Sequence, residues 1–499
     1  MSELSKQAGL LSIADFLRFV IKTLIGMALA RLLLPADLGT YRQIHLIYAT
    51  LSGILLLGFP QGMMYFLPKA KDEEQIRRII SRTMDVVTLL ALACALVMLG
   101  ARYFIADNFQ NPSLIPLLGI FSIYPLLLFY GSLYNFSMLG LKEPGKAAVF
   151  ALFSIISDLI IILAVAFLMH SLEAIIWASL ASAVLQWLWA FIGLRKKSNP
   201  ISLSNYEGFK EQVSYTIPLG ISFIVGILCV QLDKIMISGF FLPEEFAVFS
   251  LGAMELPLIG VLINSVNAIL LPNLNPEDHD QSAAIFRSSV RKNSLLIMPL
   301  AVVFYLFASE LMLFFYGKTY IDAAIYFRIY LFILPLRTAT HALIFQAYGR
   351  TKLVMLDSLI MLGANAVLNY ILIRQIGMKG AAIATVIVSW LMVIIYLAQM
   401  KHYLKIKVNR FFPWLKMLFS LAVAILPALI IMPLLKLIAI PFLRMIVFGS
   451  LYMMIYFLIA RALKLIRSDD ISMALELLRS LVGFSRNRGV PQMDKERGI

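Results

Sequence analysis

The chain has 499 residues, of which 61% are hydrophobic and 14% charged, and its mean hydropathy is +0.87. A soluble globular domain carries about 25% charged residues, so this composition excludes one and places the chain in a lipid bilayer. The formal charge of +15 does not imply nucleic acid, because the basic residues gather in every second loop of the hydrophobic pattern.

A bilayer core needs about 20 apolar residues per helix, and the sequence offers about fourteen stretches of that kind. They run over 9–33, 40–67, 83–106, 113–139, 146–169, 173–194, 212–240, 245–272, 290–316, 322–348, 352–373, 378–401, 412–435 and 440–464. Continuous apolar runs such as IISDLIIILAVAF exclude a β-barrel, whose strands must alternate. The first stretch is long, carries charges and lacks a small-residue cleavage site, so it is expected to stay as a membrane helix and not to be removed as a signal peptide. Cys94 and Cys229 fall inside predicted helices, which speaks against a disulfide or a thiolate metal site. No metal or cofactor is expected.

Lys69, Lys71, Arg77, Arg78 and Arg82 open the series of basic loops, which continues with Lys142 and Lys146, Arg195 to Lys197, Arg287 to Lys292, Arg350 and Lys352, and Lys401 to Arg410. The alternate loops are nearly empty of bases. This asymmetry predicts that both termini and the even loops face the cytoplasm. The longest interior breaks, 195–211 and 273–289, are then cytoplasmic, and no loop on the other side leaves room for a folded domain.

The chain also echoes itself. LPADLGTY (Leu34 to Tyr41) follows the first helix and LPEEFAVF (Leu242 to Phe249) follows the seventh, each a Leu-Pro and an acid leading into a helix, where φ is preset and the dipole favours negative charge. Lys146 against Lys352, and EAIIWAS (Glu173 to Ser179) against KGAAIAT (Lys379 to Thr385), keep nearly the same offset. A six-helix unit has an even number of crossings, so its two copies would relate by an axis along the membrane normal. The predicted fold is an all-α polytopic membrane protein of about fourteen transmembrane helices. Its N-lobe covers 1–194, a cytoplasmic linker 195–211, a C-lobe 212–404, two extra helices 405–465, and a cytoplasmic amphipathic helix and tail 466–499.

Charges at membrane depth are the main functional signal. An ionisable residue at the bilayer centre costs about 2.5 to 3.5 kcal/mol on insertion scales and normally faces a bundle interior or a water-filled cavity. Asp15, Arg18 and Lys22 share one face of the first helix. Arg42 and His45 follow in the second, Asp158 in the fifth, Asp233 and Lys234 in the seventh, Glu255 in the eighth, and Arg328, Arg337 and His341 in the tenth, where Pro335 could bend the helix so that the two arginines converge. The bases lead, so a cavity lined by these groups favours an anion. Structural ion pairs and hydrogen-bonded core histidines are the alternative for each residue singly. GFPQG (Gly58 to Gly62), IPLG (Ile217 to Gly220) and LPLIG (Leu256 to Gly260) are bending points or close-packing sites. No GxxxxGK[ST] loop, HExxH or Cys/His cluster occurs, so neither ATP hydrolysis nor metal catalysis is expected and the chain does not read as an enzyme.

ARLLLPADLGTY after the first helix, GFPQGMMYFLP closing the second, QLDKIMISGFFLPEEFAVFSLG through the seventh and eighth, and the twelve-plus-two layout resemble the polysaccharide-exporting branch of the multidrug/oligosaccharidyl-lipid/polysaccharide exporter superfamily, which includes O-antigen flippases. The resemblance covers the chain to about residue 465. It implies alternating access in a bacterial cytoplasmic membrane, with an undecaprenyl diphosphate-linked oligosaccharide as cargo and room for a polysaccharide polymerase or assembly proteins as partners. Arg18, Lys22, Arg42, Lys234, Arg328 and Arg337 would meet the anionic headgroup, and Asp15, Asp158 or Glu255 would couple an ion. A cation-coupled multidrug antiporter of the same superfamily and a non-transporting scaffold of an envelope complex are the rival readings.

Overall fold

The computed structural model describes residues 3–199 and 208–466, apart from residue 406 and scattered positions between 255 and 276. The described residues are helical, with no strand among them. The first half consists of α1 (Glu3–Leu32), α2 (Pro35–Leu55), α3 (Phe59–Phe66), α4 (Glu73–Gly100), α5 (Arg102–Asn108), α6 (Leu114–Phe121), α7 (Tyr124–Gly140), α8 (Pro144–Met169) and α9 (Leu172–Arg195). The second half begins with α10 (Phe209–Phe240) and α11 (Pro243–Gly252), then resumes with α12 (His279–Leu306), α13 (Ala308–Tyr316), α14 (Ala323–Leu331), α15 (His341–Ala347), α16 (Thr351–Ile376) and α17 (Met378–Tyr403). The short α18 (Val408–Phe411) leads to α19 (Trp414–Ile431) and α20 (Pro441–Ala462). Among the described residues nine helices are long and apolar enough to cross a membrane, or up to twelve if each of three bent pairs is one span. The chain is therefore a multi-pass membrane protein. The tail from residue 467, where an amphipathic helix is expected, lies outside the described residues.

The bends fall at turn chemistry visible in the sequence. α2 and α3 meet at 46° across Leu57 and Gly58, whose φ values are 48° and 74°, a conformation that costs glycine nothing. α6 and α7 meet at 45° just before Pro125, and α14 meets the segment continuing into α15 at 41°, with Pro335 opening the 3₁₀ turn between them. Two helices begin well ahead of the predicted 83 and 290. α4 starts at Glu73 because Asp72 caps it, accepting the Gln75 N–H at 2.7 Å, and α12 starts at His279 because Asp278 accepts the Gln281 N–H at 2.8 Å. The expected cytoplasmic break 273–289 is thus largely helix.

The Leu-Pro echo is structural. Leu34 and Leu242 are both extended (φ −64°, ψ 152° and φ −67°, ψ 157°), and Pro35 and Pro243 open α2 and α11. These two helices pack against each other, so closely that a Cβ at Gly39 would collide with the Pro243 carbonyl. The halves therefore touch at the end of the bundle where α1 finishes, the far end. Gln110 Nε2 donates to the Gly239 carbonyl there at 3.3 Å. They touch again at the near end, where α1 starts: Gly220 of α10 lies against the backbone of Leu57, Tyr65 stacks on Tyr215 at 4.1 Å, and Arg82 Nε donates to Gln212 Oε1 at 2.8 Å. Gly58 is consequently both a bending point and a crossing point, and Gly220 a crossing point.

α19 and α20 sit outside this contact. They pack on α12, with the Tyr456 hydroxyl donating to the Leu295 carbonyl at 3.0 Å and Arg444 paired with Glu310 of α13 at 3.3 Å. α1 belongs to the first half, lying along α8 with Ala14 against Ala148 and Ala151, and Ile25 and Leu29 in one buried cluster with Ile162 and Ala166.

Cysteines placed at Gln110 and Gly239, in a chain from which Cys94 and Cys229 have been removed, should cross-link across the far end. Adding Gly39→Val, which forces α2 from α11, is expected to remove most of that cross-linking, as scored by gel mobility, whereas Gly26→Ala, which has open space around it, should leave it unchanged.

Candidate functional site

Lys22 is the decisive residue. It sits about two-thirds of the way along α1, yet its side chain is exposed, while Ile25, three residues on, is buried against α8. The Lys22 charge also reaches His45 of α2, so the lysine is turned towards other helices of the bundle, where lipid would be costly. Lys22 lies within electrostatic reach of Arg18, one turn earlier, and of Asp158 on α8. Asp158 is positioned from α9: Ser182 Oγ donates to its Oδ1 at 2.6 Å and Gln186 Nε2 at 2.9 Å, and Ser182 is itself 3.0 Å from Ser157 Oγ. The carboxylate thus stays aimed and polar-solvated while it balances part of the positive charge.

Arg42 closes the site from α2. Its Nη1 donates to the Ser250 carbonyl at 3.0 Å and to Ser250 Oγ at 3.2 Å, which ties the cation to α11 in the other half. Tyr41, Tyr316 and Tyr320 lie within its electrostatic reach, and Tyr41 and Tyr124 within that of Asp158. His45 is packed among Tyr41, Phe121 and Tyr124, with ring centroids 4.4, 5.3 and 6.2 Å away, and its Nε2 has no partner. The tyrosines escaped the sequence reading because aromatic residues occur throughout so apolar a chain; only their helical phase relative to Asp158 and Arg42 could have singled them out.

The other expected residues go elsewhere. Lys234 pairs with its neighbour Asp233 at 3.6 Å and donates to the Val230 carbonyl, and Asp233, 3% exposed, also accepts the Tyr330 hydroxyl. Arg328 is spent on the α12–α13 junction, donating to the Tyr305 carbonyl at 3.2 Å and to Ser309 Oγ at 3.1 Å. Arg337 lines a separate cavity of about 260 Å³ with Tyr330 and the apolar side chains of Met254, Ile259 and Ile263. The bend at Pro335 therefore sends Arg328 and Arg337 to different surroundings. His341 is a core residue, stacked on Phe412 at 5.0 Å. Asp15 lies on α1 with its side chain outside the described residues, as is Glu255 altogether. Among the described residues no group of His, Cys, Asp and Glu could hold a metal ion.

Residues 28–325 match the model of a family described as polysaccharide biosynthesis protein. The chain belongs to that family. It is 25% identical over 421 residues to the capsular polysaccharide biosynthesis protein CapF of Staphylococcus aureus, covering 78% of this chain and 98% of the relative. Over 243 residues it is 24% identical to the probable low-salt glycan biosynthesis flippase Agl15 of Haloferax volcanii, covering 47% of this chain and 50% of the relative. Its fold is similar to that of the lipid II flippase MurJ in an inward closed conformation (TM-score 0.76, 17% identity, 91% of this chain and 98% of that one). It is also similar to an inward-facing multidrug resistance MATE family transporter of the MOP superfamily (TM-score 0.61, 13% identity, 80% and 98%). The family match begins on α1 and runs through α2, α8 and α11, the helices that carry Arg42, Asp158 and Ser250.

Asp158 depends on its α9 donors. A hydrogen bond to a charged group contributes about 1.5 to 3 kcal/mol, so Gln186→Leu should destabilise the purified protein by about that amount, read as a lower thermal unfolding temperature, with Asp158→Asn in the same background recovering much of the loss.

Proposed function

We propose that this protein is a flippase that turns a lipid-linked oligosaccharide, undecaprenyl diphosphate its carrier, from the cytoplasmic to the outer leaflet of a bacterial inner membrane for surface polysaccharide synthesis. Both termini then face the cytoplasm, and fourteen spans form two six-helix lobes about an axis along the membrane normal, with α19 and α20 peripheral. What supports the reading is Lys22, exposed two-thirds of the way along α1, with Arg18 one turn earlier and Arg42 on α2, both Lys22 and Arg42 within electrostatic reach of His45. A diphosphate needs several cations in a low-dielectric space, and Asp158 offsets only part of this charge. The flippase and polysaccharide relatives support the same cargo class.

The mechanism follows from the two contacts between the halves. The near end opens to admit the headgroup, the cations hold its phosphates between the lobes, and the far end then parts at Gly39 and Ser250 while the lipid tail stays in the bilayer. Arg42 has a second task, since its bond to Ser250 must break when the far end opens; a phosphate oxygen is a stronger acceptor than a neutral serine and competes for the same guanidinium. A polymerase or assembly protein would receive the cargo on the outer side.

Asp158 and the surrounding tyrosines are what a multidrug antiporter would use for a cationic drug, and a scaffold would need none of these groups accessible. The readings separate in one mutant series. Arg18→Ala, Lys22→Ala and Arg42→Ala should each lower export of the lipid-linked unit about ten- to a hundredfold, the equivalent of one charge-assisted hydrogen bond, with normal membrane insertion, and Arg328→Ala should leave it within about twofold on the same reckoning. Unchanged export in all four would remove the cavity assignment; drug-dependent proton exchange lost in Asp158→Asn would favour the antiporter.

A further inference from the structure

A second buried carboxylate, remote in sequence from the cation cluster, has no role in the mechanism above. Asp357 lies on α16 with no exposed surface, although its neighbours Met355, Leu356, Leu359 and Ile360 are exposed on the apolar outside of the helix. Its Oδ1 accepts Gln399 Nε2 of α17 at 2.5 Å. Its Oδ2 has no partner, and neither has Gln399 Oε1. Two buried acceptor oxygens on one pair of side chains thus lack a donor, and among the described residues no lysine or arginine is paired with Asp357. A bare carboxylate in that position would be strongly penalised.

One proton removes both deficits. We propose that Asp357 is held as a carboxylic acid in a ring with the Gln399 amide: Gln399 Nε2–H donates to Asp357 Oδ1 while Asp357 Oδ2–H donates to Gln399 Oε1. The acid and the amide are shape-matched for two parallel hydrogen bonds, and turning the amide over exchanges the oxygens without changing the shortfall of a single proton. The groups around the ring do not supply it otherwise. Tyr396 of α17 lies within electrostatic reach of Asp357, Cys229 of α10 donates its thiol to the Ser358 carbonyl at 3.6 Å, and His341 of α15 is stacked with the Tyr396 ring at 6.3 Å. None of these is a cation paired with the carboxyl.

The ring is an exchangeable proton site in the second half. Release breaks the Oδ2–H bond, leaves the electron pair on the carboxylate and hands the proton to a water molecule that enters against Oδ2 from the near end of α16, six residues or about 9 Å away along the helix, when the α16–α17 contact opens. The carboxylate and the amide oxygen then repel each other, so the α16–α17 contact loosens. Because Ser358 touches Cys229 on α10, and α10 carries Gly220 at the near-end crossing, the site adjoins the element that closes the halves against each other. This inference stands on the geometry of the second half and not on the cargo proposed above.

The test uses the purified full chain and needs no substrate. Asp357→Asn keeps the shape and both hydrogen bonds but cannot titrate. Infrared spectra of the parent should show a carboxylic-acid carbonyl band that is lost in alkaline buffer and is missing from Asp357→Asn; Gln399→Leu, which keeps the acid and removes its partner, should move that band towards the position of a free acid. The thermal unfolding temperature of the parent should fall as pH rises through the titration, because protonation stabilises the folded state and is lost on the alkaline side, and this fall should vanish in Asp357→Asn. The same band or the same pH slope in parent and Asp357→Asn would overturn the proposal. So would recovery of the parent's alkaline stability by sodium chloride but not choline chloride, which would make the site one for a metal cation.

Discussion

The cost of holding a cation at membrane depth governs the arrangement of this protein. Arg18 and Lys22 could not face lipid without a penalty of about 2.5 to 3.5 kcal/mol each on insertion scales; the apolar side of α1 is laid along α8, and Lys22 lies near Asp158 of α8 and His45 of α2. Everything that makes this tolerable is supplied by neighbours. Asp158 balances part of the charge, Ser182 and Gln186 hold Asp158, and Arg42 spends its donors on Ser250 across the interface. On the proposed function, this cluster of cations is where a phosphate-bearing lipid headgroup would be stabilised.

The same interface explains how such a site could move. The halves meet at two ends through contacts that tolerate no added atom: Gly39 against Pro243 at one, Gly220 against Leu57 at the other. Contacts built on backbone approach are short-ranged, so they make or break as units when the halves rotate, and few side chains must repack. Gly58 serves both requirements, permitting the 46° bend between α2 and α3 and leaving room for the α10 backbone, which an added Cβ would meet at 2.9 Å from the Thr216 carbonyl oxygen. Among the polar links across the interface, Arg42 to Ser250, Gln110 to the Gly239 carbonyl and Arg82 to Gln212 are hydrogen bonds to neutral groups.

Hydropathy made the spans legible, because lipid imposes length and apolarity on each helix separately and leaves little to tertiary context. Turn chemistry was legible for the same local reason: the Leu-Pro starts of α2 and α11 and the breaks at Gly58 and Pro335 could be located from the sequence. What a long polar side chain reaches was not. Lys234 looked like a cavity cation but turns to Asp233, its immediate neighbour, and Arg328 turns to a carbonyl and a serine on the adjoining helices instead of towards Arg337. Helical phase alone gives the face, and a flexible four-carbon stem covers more than one face. Asp357 passed unnoticed because a single acid near the start of an apolar helix looks like a boundary residue; its burial depends on α17 and α10 folding over it.

The central claim is that the cationic interior exists to pass a lipid-linked saccharide across the membrane. It is tested most directly by deleting the gene from a host in which this is the sole chain of its family and following the lipid-linked intermediates. The account predicts loss of one surface polymer with accumulation of its complete lipid-linked unit in the cytoplasmic leaflet, out of reach of reagents added outside. Unchanged polymer with no accumulated intermediate would contradict it.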